Sequence, residues 1–256
     1  MTNPLFFVDH KFAPGETFTL DGDEGRHAAT VKRLRVGETV DVANGKGLRA
    51  SCSVTQTERN SIQLLIVEVL QESVSTPQFT VVQALAKGDR ADLALEVLTE
   101  VGVDVIVPWS ATHCVVKWDE PAKAKRKWQR TITEAAKQSR RAWIPELFDL
   151  HSTPAVADLI ASNDIAVVLH ESANQSIADL DISQSKSILV IVGPEGGITD
   201  QELSDFQDAG AQVVRMGSTV MRTSTAGAIC LGALLPQTSR WATSEKLENA
   251  SEKVTD

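Results

Sequence analysis

Short runs in which apolar and polar residues alternate open the chain: Phe6–Val8, Thr17–Leu20, Glu38–Ala43, Arg49–Thr55 and Ile62–Leu70. A period of two over such short runs predicts half-buried strands. Asn44-Gly45-Lys46-Gly47 lies between two of them and is a hairpin turn signal. One short helix is predicted over Arg26–Leu34, which brings Arg26, His27, Lys32, Arg33 and Arg35 close together. This many short strands close most naturally into a small β-barrel, expected over residues 1–72. The polar link Ser73-Val74-Ser75-Thr76-Pro77 is the expected boundary.

From residue 78 the pattern changes. Apolar runs at Phe79–Ala84, Val103–Val107, Ile165–Leu169, Ile188–Val192 and Val213–Met216 alternate with helical stretches. The first helix, Asp92–Val101, places Leu93, Val97 and Val101 at four-residue intervals; others are expected over Arg126–Arg140, Thr199–Ala209 and Ala226–Leu235. The last is apolar around its circumference, stops at Pro236 and should be buried. Strands alternating with helices predict an α/β domain over residues 78–242, its parallel sheet covered on both faces. Residues 243–256 are polar and charged, without apolar periodicity, and are expected to be disordered.

Composition narrows the class. At 256 residues and 42% hydrophobic, the chain suits one large or two modest domains with real cores. No apolar run is long enough to span a membrane, and the first residues lack the pattern of a secretion signal. Cys52, Cys114 and Cys230 have no paired spacing, which points to free thiols in a reducing compartment rather than to a metal site. A cytoplasmic protein without metal is expected. The formal charge of -9 announces no nucleic-acid partner, but it is unevenly spread. Lys117–Arg141 holds nine Lys/Arg against three Asp/Glu, a local +6, whereas residues 142–256 carry a local -10. An acidic protein can still present a basic stripe to a phosphate backbone; an exposed helix face explains the same run. Trp118, Trp128 and Trp143 lie in or beside it, either to stack on bases or to pack in a core.

Two segments carry candidate chemistry. In Ile191–Asp200 a buried strand runs into Gly193-Pro194-Glu195-Gly196-Gly197 and then into a helix start, with Thr199 and Glu202 spaced as a capping box. Loops at the carboxyl ends of strands in such sheets bind small molecules, although a tight βα turn has the same composition. In the second segment, Val213–Gly217 is a strand ending in glycine, followed by Ser218–Ala226 and the apolar helix.

Together these segments resemble the SPOUT class of S-adenosylmethionine-dependent RNA methyltransferases, and more narrowly the bacterial ribosomal RNA small subunit methyltransferase E family. The likeness extends over about residues 5–236. Lys87-Gly88-Asp89-Arg90 with Thr99–Val103, the segment Ser110–Lys117, and Lys127–Gln129 with Glu134–Arg141 are similar to family stretches, as are His27 and Leu34-Arg35-Val36-Gly37 in its PUA-type barrel. Two positions depart: Met216 stands where the family usually has Leu, and Ser224 where it usually has Glu. The resemblance implies a PUA-like RNA-binding barrel, then a SPOUT domain with a trefoil knot, in a homodimer. It also implies transfer of a methyl group to N3 of a uridine in 16S ribosomal RNA, with free RNA or the small ribosomal subunit as partner.

By position in the family, S-adenosylmethionine would be held by three loops: Leu169-His170-Glu171; Gly193, Pro194, Glu195, Gly196 and Gly197; and Met216, Gly217, Val220, Met221, Thr223, Ser224 and Thr225. Met216 and Val220 can flank an adenine. Glu171 can accept from a ribose hydroxyl, or be a solvated loop acid. His170 can titrate near neutrality or simply satisfy backbone groups. Uridine N3 holds a proton at neutral pH, so catalysis needs positioning and charge stabilisation. Arg222 is the candidate catalytic residue, as a permanent cation facing a uracil carbonyl; anchoring RNA phosphate or holding the loop are the other uses of an arginine there. With Ser224 in place of Glu, no general base is assigned. RNA contacts are expected from Arg26, Lys32, Arg33, Arg35, Lys87, Arg90, Lys123, Arg126 and Arg130. A non-catalytic RNA-binding assembly factor on the same fold is the alternative. A P-loop hydrolase is excluded, because no Lys-Ser/Thr follows the glycines.

Overall fold

The computed structural model describes residues 3–241; the tail expected to be disordered lies outside the described residues. The chain forms two compact units, one comprising the chain up to Val74 together with Ala136–Ile144, the other the remainder.

In the first unit β1 (Leu5–Phe7), β2 (Thr17–Leu20), β3 (Thr39–Ala43), β4 (Leu48–Thr57) and β5 (Ile62–Gln71) form one sheet in the order β1-β3-β4-β5-β2. β1 pairs with β3 in parallel and the other ladders are antiparallel. Register shifts at Ser51/Cys52 and Val54/Gln56 bend the long β4–β5 hairpin. The sheet therefore curls on one core, to which its two edge strands contribute Phe6 and Leu20. Asn44 starts the β3–β4 turn, its side-chain oxygen accepting from the N–H groups of Lys46 (2.8 Å) and Leu48 (3.1 Å).

The helix expected over Arg26–Leu34 begins earlier, as α1 (Gly22–Arg26), and widens into a π-turn over His27–Val31. Lys32 N–H reaches back to His27 C=O at 2.9 Å, and Arg33 then turns into the left-handed region at φ 55°. That reversal ends the helix and drops Leu34 into the core. Trp143 donates its indole N–H to Glu72 C=O at 3.2 Å, a structural use in place of base stacking.

The second unit contains β6 (Gln78–Ala84), α2 (Asp89–Val101), β7 (Val105–Trp109), α3 (Pro121–Gln138), β8 (Glu146–Leu147), α4 (Thr153–Ala161), β9 (Ile165–Leu169), β10 (Gln175–Ser176), β11 (Ser187–Val192), α5 (Asp200–Asp208), β12 (Gln212–Arg215) and α6 (Thr223–Leu234). The last turn of α3 belongs to the first unit. Seven strands form a sheet in the order β10-β12-β9-β11-β6-β7-β8, with every ladder parallel.

Successive side chains of the central strands point to opposite faces, and both faces are covered. Val82, Ala84, Leu189 and Ile191 cluster with Val156 and Ile160 of α4 and Phe206 of α5. On the other face α2 and α6 pack together, and Gly227 lets α6 approach the sheet: a Cβ there would stand 3.0 Å from Leu98 Cδ2 and 3.2 Å from Val192 Cγ2.

Several expectations need correction. β7 starts two residues later than the apolar run, because Val103 N–H bonds to Leu98 C=O (3.0 Å) and closes α2. The buried face of α2 is Ala91, Ala94, Leu95, Leu98 and Thr99, not the Leu93-Val97-Val101 row, and Leu93 is 41% exposed. α6 is not covered all round: Ile229 is 45% exposed. Of the two uses open to Trp128 the structure shows core packing, as the sequence allowed: it is buried and meets Trp118 edge-on at 5.1 Å.

Candidate cofactor site

Because β12, β9 and β11 are neighbours in the sheet and run parallel, their carboxyl ends deliver three loops to one place. There the second unit has a cavity of about 560 Å³. Leu169, His170 and Glu171 line it from β9, Gly193 to Gly197 from β11, and Met216, Gly217, Val220, Met221, Arg222 and Thr223 from β12. Ser224 and Thr225 do not line it: they sit in the first turn of α6, where Ser224 is buried. The lining also includes Ser218, Thr219, Arg215 and the strand-end residues Val192 and Val214. Arg90, expected only to touch RNA, lines it too and pairs with Glu195 at 3.3 Å.

The loop after β11 is tightly determined. Gly197 N–H bonds to Pro194 C=O at 3.0 Å and closes a turn. A Cβ on Gly196 would come within 2.8 Å of His113 Cβ, and one on Gly193 within 2.7 Å of Ile198 Cγ1, so neither position has room for a side chain. His113 Nδ1 lies 3.2 Å from Gly197 C=O. Thr223 Oγ1 donates to Gly193 C=O at 2.8 Å, and buried Gln83 donates from Nε2 to Thr223 C=O at 3.4 Å. β6, the β11 loop and the start of α6 are thereby tied together.

The capping box forms as its spacing predicts, and Glu202 does more than cap. Its Oε2 accepts from Thr199 N–H (3.0 Å) and Thr199 Oγ1 (2.9 Å). Its Oε1 accepts from Thr112 N–H (2.8 Å), Thr112 Oγ1 (2.9 Å) and Thr153 Oγ1 (3.2 Å). Burial pushes this carboxyl's pKa up, but the N–H groups of Thr112 and Thr199 outweigh it and hold the pKa below the usual carboxylate range. The anion thus locks the exit of the glycine loop onto the segment after β7 and onto α4.

His170 carries a local structural role: its Nδ1 accepts from Ser172 N–H at 3.3 Å, with Ser172 Oγ at 2.8 Å. That bond leaves Nε2 to carry the ring proton in the neutral form. Arg222 caps α6 through its carbonyl, which accepts from Thr225 and Ala226 N–H at 2.9 Å each, while its exposed side chain lines the cavity. The cysteines take no part. Burial pushes the Cys52 and Cys230 thiols up to about 12, and burial also raises Cys114. No group of side chains suited to a metal ion occurs among the described residues, and no helix among them is long and apolar enough to cross a membrane.

The basic residues fall in both units. Arg26, Lys32, Arg33 and Arg35 are exposed in the first, where Arg26 pairs with Asp23 at 3.1 Å. Lys87, Arg90, Lys123, Arg126 and Arg130 are exposed in the second, where Lys123 pairs with Glu120 at 3.4 Å. Arg126 and Arg130, one helical turn apart on α3, share a face.

Residues 74–235 match the family model of an RNA methyltransferase domain, and residues 20–67 that of an RNA methyltransferase PUA domain. The ribosomal RNA small subunit methyltransferase E of Mycobacterium tuberculosis is 43% identical over 247 residues, covering 94% of this chain and 94% of that protein. The chain belongs to the ribosomal RNA small subunit methyltransferase E family. The methyltransferase E of Bacillus subtilis is 28% identical over 232 residues, 87% of this chain and 91% of its own. A family structure from Neisseria gonorrhoeae bound to S-adenosylmethionine superposes with a TM-score of 0.84 at 27% identity, covering 92% of this chain and 98% of that one. A methyltransferase from Legionella pneumophila in complex with the same cofactor gives 0.81 at 26% identity, with 92% and 98% covered. The expected combination of a PUA-type unit and a parallel α/β methyltransferase unit agrees with these likenesses.

Proposed function

We propose that this chain uses S-adenosylmethionine to methylate N3 of a uridine in the 16S RNA of the small ribosomal subunit. The observation that carries the reading is the cavity where the ends of β9, β11 and β12 converge, in a chain of this family. The cavity fits the cofactor on its own terms. Its volume of about 560 Å³ lies within the range of small-molecule sites, roughly 300–1,000 Å³. Gly193 and Gly196 let the β11 loop lie close against Ile198 and His113 while it forms part of the cavity wall. Met216 and Val220 would flank the adenine, with Glu171 accepting from a ribose hydroxyl.

The cofactor supplies an electrophilic methyl group; the chain has to place the base and favour its anion. Arg222 is held at the cavity by its own helix-capping carbonyl and is exposed there. In this role it pairs with a uracil carbonyl oxygen and stabilises the negative charge left when the N3 proton departs to solvent. Ser224, buried outside the cavity lining, supplies no base. The target base enters unstacked, and the exposed basic residues of both units hold the backbone of the RNA.

The same reading includes a cytoplasmic homodimer in which the chain is knotted at α6. The exposed Ile229 of α6 and Leu93 of neighbouring α2 support a partner surface there. For the knot, the support is the return of α6 from β12 to pack on β6 and β11. Sedimentation at micromolar concentration showing a monomer would remove the dimer from the account.

The function is tested in cells lacking this activity. Expression of the chain should restore N3-methyluridine in digests of their 16S RNA. A different methylated nucleoside overturns the base assignment, and a chain that binds RNA but not S-adenosylmethionine is the non-catalytic alternative.

A further inference from the structure

Apart from the cofactor cavity, the first unit contains a second cavity of about 270 Å³. Its lining includes Phe6, His27, Lys32, Leu34, Lys137 and Arg140, and no Asp or Glu, in a chain whose formal charge is -9. Phe6 and Leu34 form a buried floor, whereas Lys32 and Arg140 stand exposed at its edge. Lys137 is met by Glu24 at 2.6 Å; the charge available to an anion comes from Lys32 and Arg140. Phe6 meets His27 edge-on at 5.9 Å and fixes the imidazole plane. A half-buried imidazole and two exposed cations over that floor suit an aromatic anion rather than a bare phosphate.

The backbone around this cavity is unusual. Arg33 (φ 55°) and Arg140 (φ 59°) are the only non-glycine residues of positive φ among the described residues. Arg140 lines the cavity, and Arg33 lies between Lys32 and Leu34, which do. Arg49 Nη2 clamps the Arg140 carbonyl at 2.6 Å and holds that conformation. The π-turn begins at His27, on the same wall. Strained backbone and π-turns gather where geometry serves a site.

We propose that this cavity is a second RNA subsite, which takes one unpaired nucleotide of the substrate. The base lies against His27 and Leu34, and its phosphate between Lys32 and Arg140. Bases outside a helix are recognised in this way, by a ring plane and nearby cations. The inference rests on the proposed RNA substrate but not on which base is methylated.

The test is fluorescence anisotropy of the full chain with a short labelled single-stranded RNA, for wild type, Arg140→Gly and Lys32→Gln. Glycine takes the left-handed φ freely, so Arg140→Gly removes the guanidinium without disturbing the turn; Lys32→Gln alters an exposed side chain and gives a second reading if the first variant fails to fold. Each variant should weaken RNA binding about tenfold and reduce the salt slope by about one, with affinity for S-adenosylmethionine unchanged. A mononucleotide should compete for the site where inorganic phosphate does not. RNA affinities within twofold of wild type for the folded variants, or equal competition by phosphate, overturn the subsite. Methyl transfer to small subunits by the wild-type chain separates the two readings. If transfer occurs while RNA binding ignores both variants, only the subsite falls. If no RNA is methylated while binding depends on both variants, the proposed function falls and the subsite stands.

Discussion

Replacing Glu202 by Gln removes one negative charge and one acceptor from a buried carboxylate that receives five hydrogen bonds. The amide keeps a single carbonyl oxygen. Its NH₂ group must point at either Thr112 N–H or Thr199 N–H, and neither backbone donor can rotate away. One buried N–H loses its partner, which costs about 1–3 kcal/mol, and the remaining bonds lose their charge assistance. We expect a loss of about 2–4 kcal/mol of stability near neutral pH by these magnitudes. The pH dependence is a second signature. The folded pKa of Glu202 lies below its ordinary value. Its contribution is therefore fully present above the unfolded pKa and is lost as pH falls through the folded pKa. The gap between wild type and Glu202→Gln should hold constant from neutral pH down to the ordinary carboxylate range and narrow below it. Guanidinium denaturation across that pH series measures both. A loss under about 1 kcal/mol, or a gap that keeps its size at acid pH, refutes the reasoning.

Gly196→Ala should weaken S-adenosylmethionine binding about tenfold, because the added Cβ meets His113 and displaces the loop, and should also cost about 1–3 kcal/mol of stability; calorimetric titration measures the first and denaturation the second. Arg222→Ala should lower kcat on small subunits about a hundredfold, while Lys at that position should restore part of the rate; single-turnover methylation separates this from RNA affinity. Arg240→Ala should cost about 3–5 kcal/mol, since Arg240 is 10% exposed in its side chain, binds Asp104 at 2.6 Å and donates to the carbonyls of Pro77 and Gly102. Denaturation checks that loss, and a change under about 1 kcal/mol contradicts it.

The parts of the structure governed by local rules were legible in the chain. The period-two strands of the first unit, the capping box at Thr199 and the glycine loop between strand and helix each depend on residues a few positions apart. What was not legible depends on distant partners. Thr112 and Thr153 complete the Glu202 network from 90 and 49 residues away, and nothing in either local pattern announces an acceptor. Arg90 reaches the cavity because β6 lies beside β11, which is a property of sheet order. The row of Leu93, Val97 and Val101 was misleading for a simpler reason: a strict four-residue interval drifts around a helix of 3.6 residues per turn, and α6 selects a different face. α4 was missed although Ser152 and Pro154 stand at its start: its nine residues give little periodicity and, unlike α5, it has Ala155 rather than a Glu or Gln three residues after the cap.

The cavity at the ends of β9, β11 and β12 is proposed to serve methyl transfer to uridine N3. Its most direct test incubates the purified chain with S-adenosylmethionine labelled in the methyl group and small ribosomal subunits from cells lacking this modification, then resolves the RNA nucleosides. Label is expected in N3-methyluridine with wild type, with about a hundredfold slower labelling by Arg222→Ala. Label in another nucleoside, or none from a chain that binds the cofactor, contradicts it.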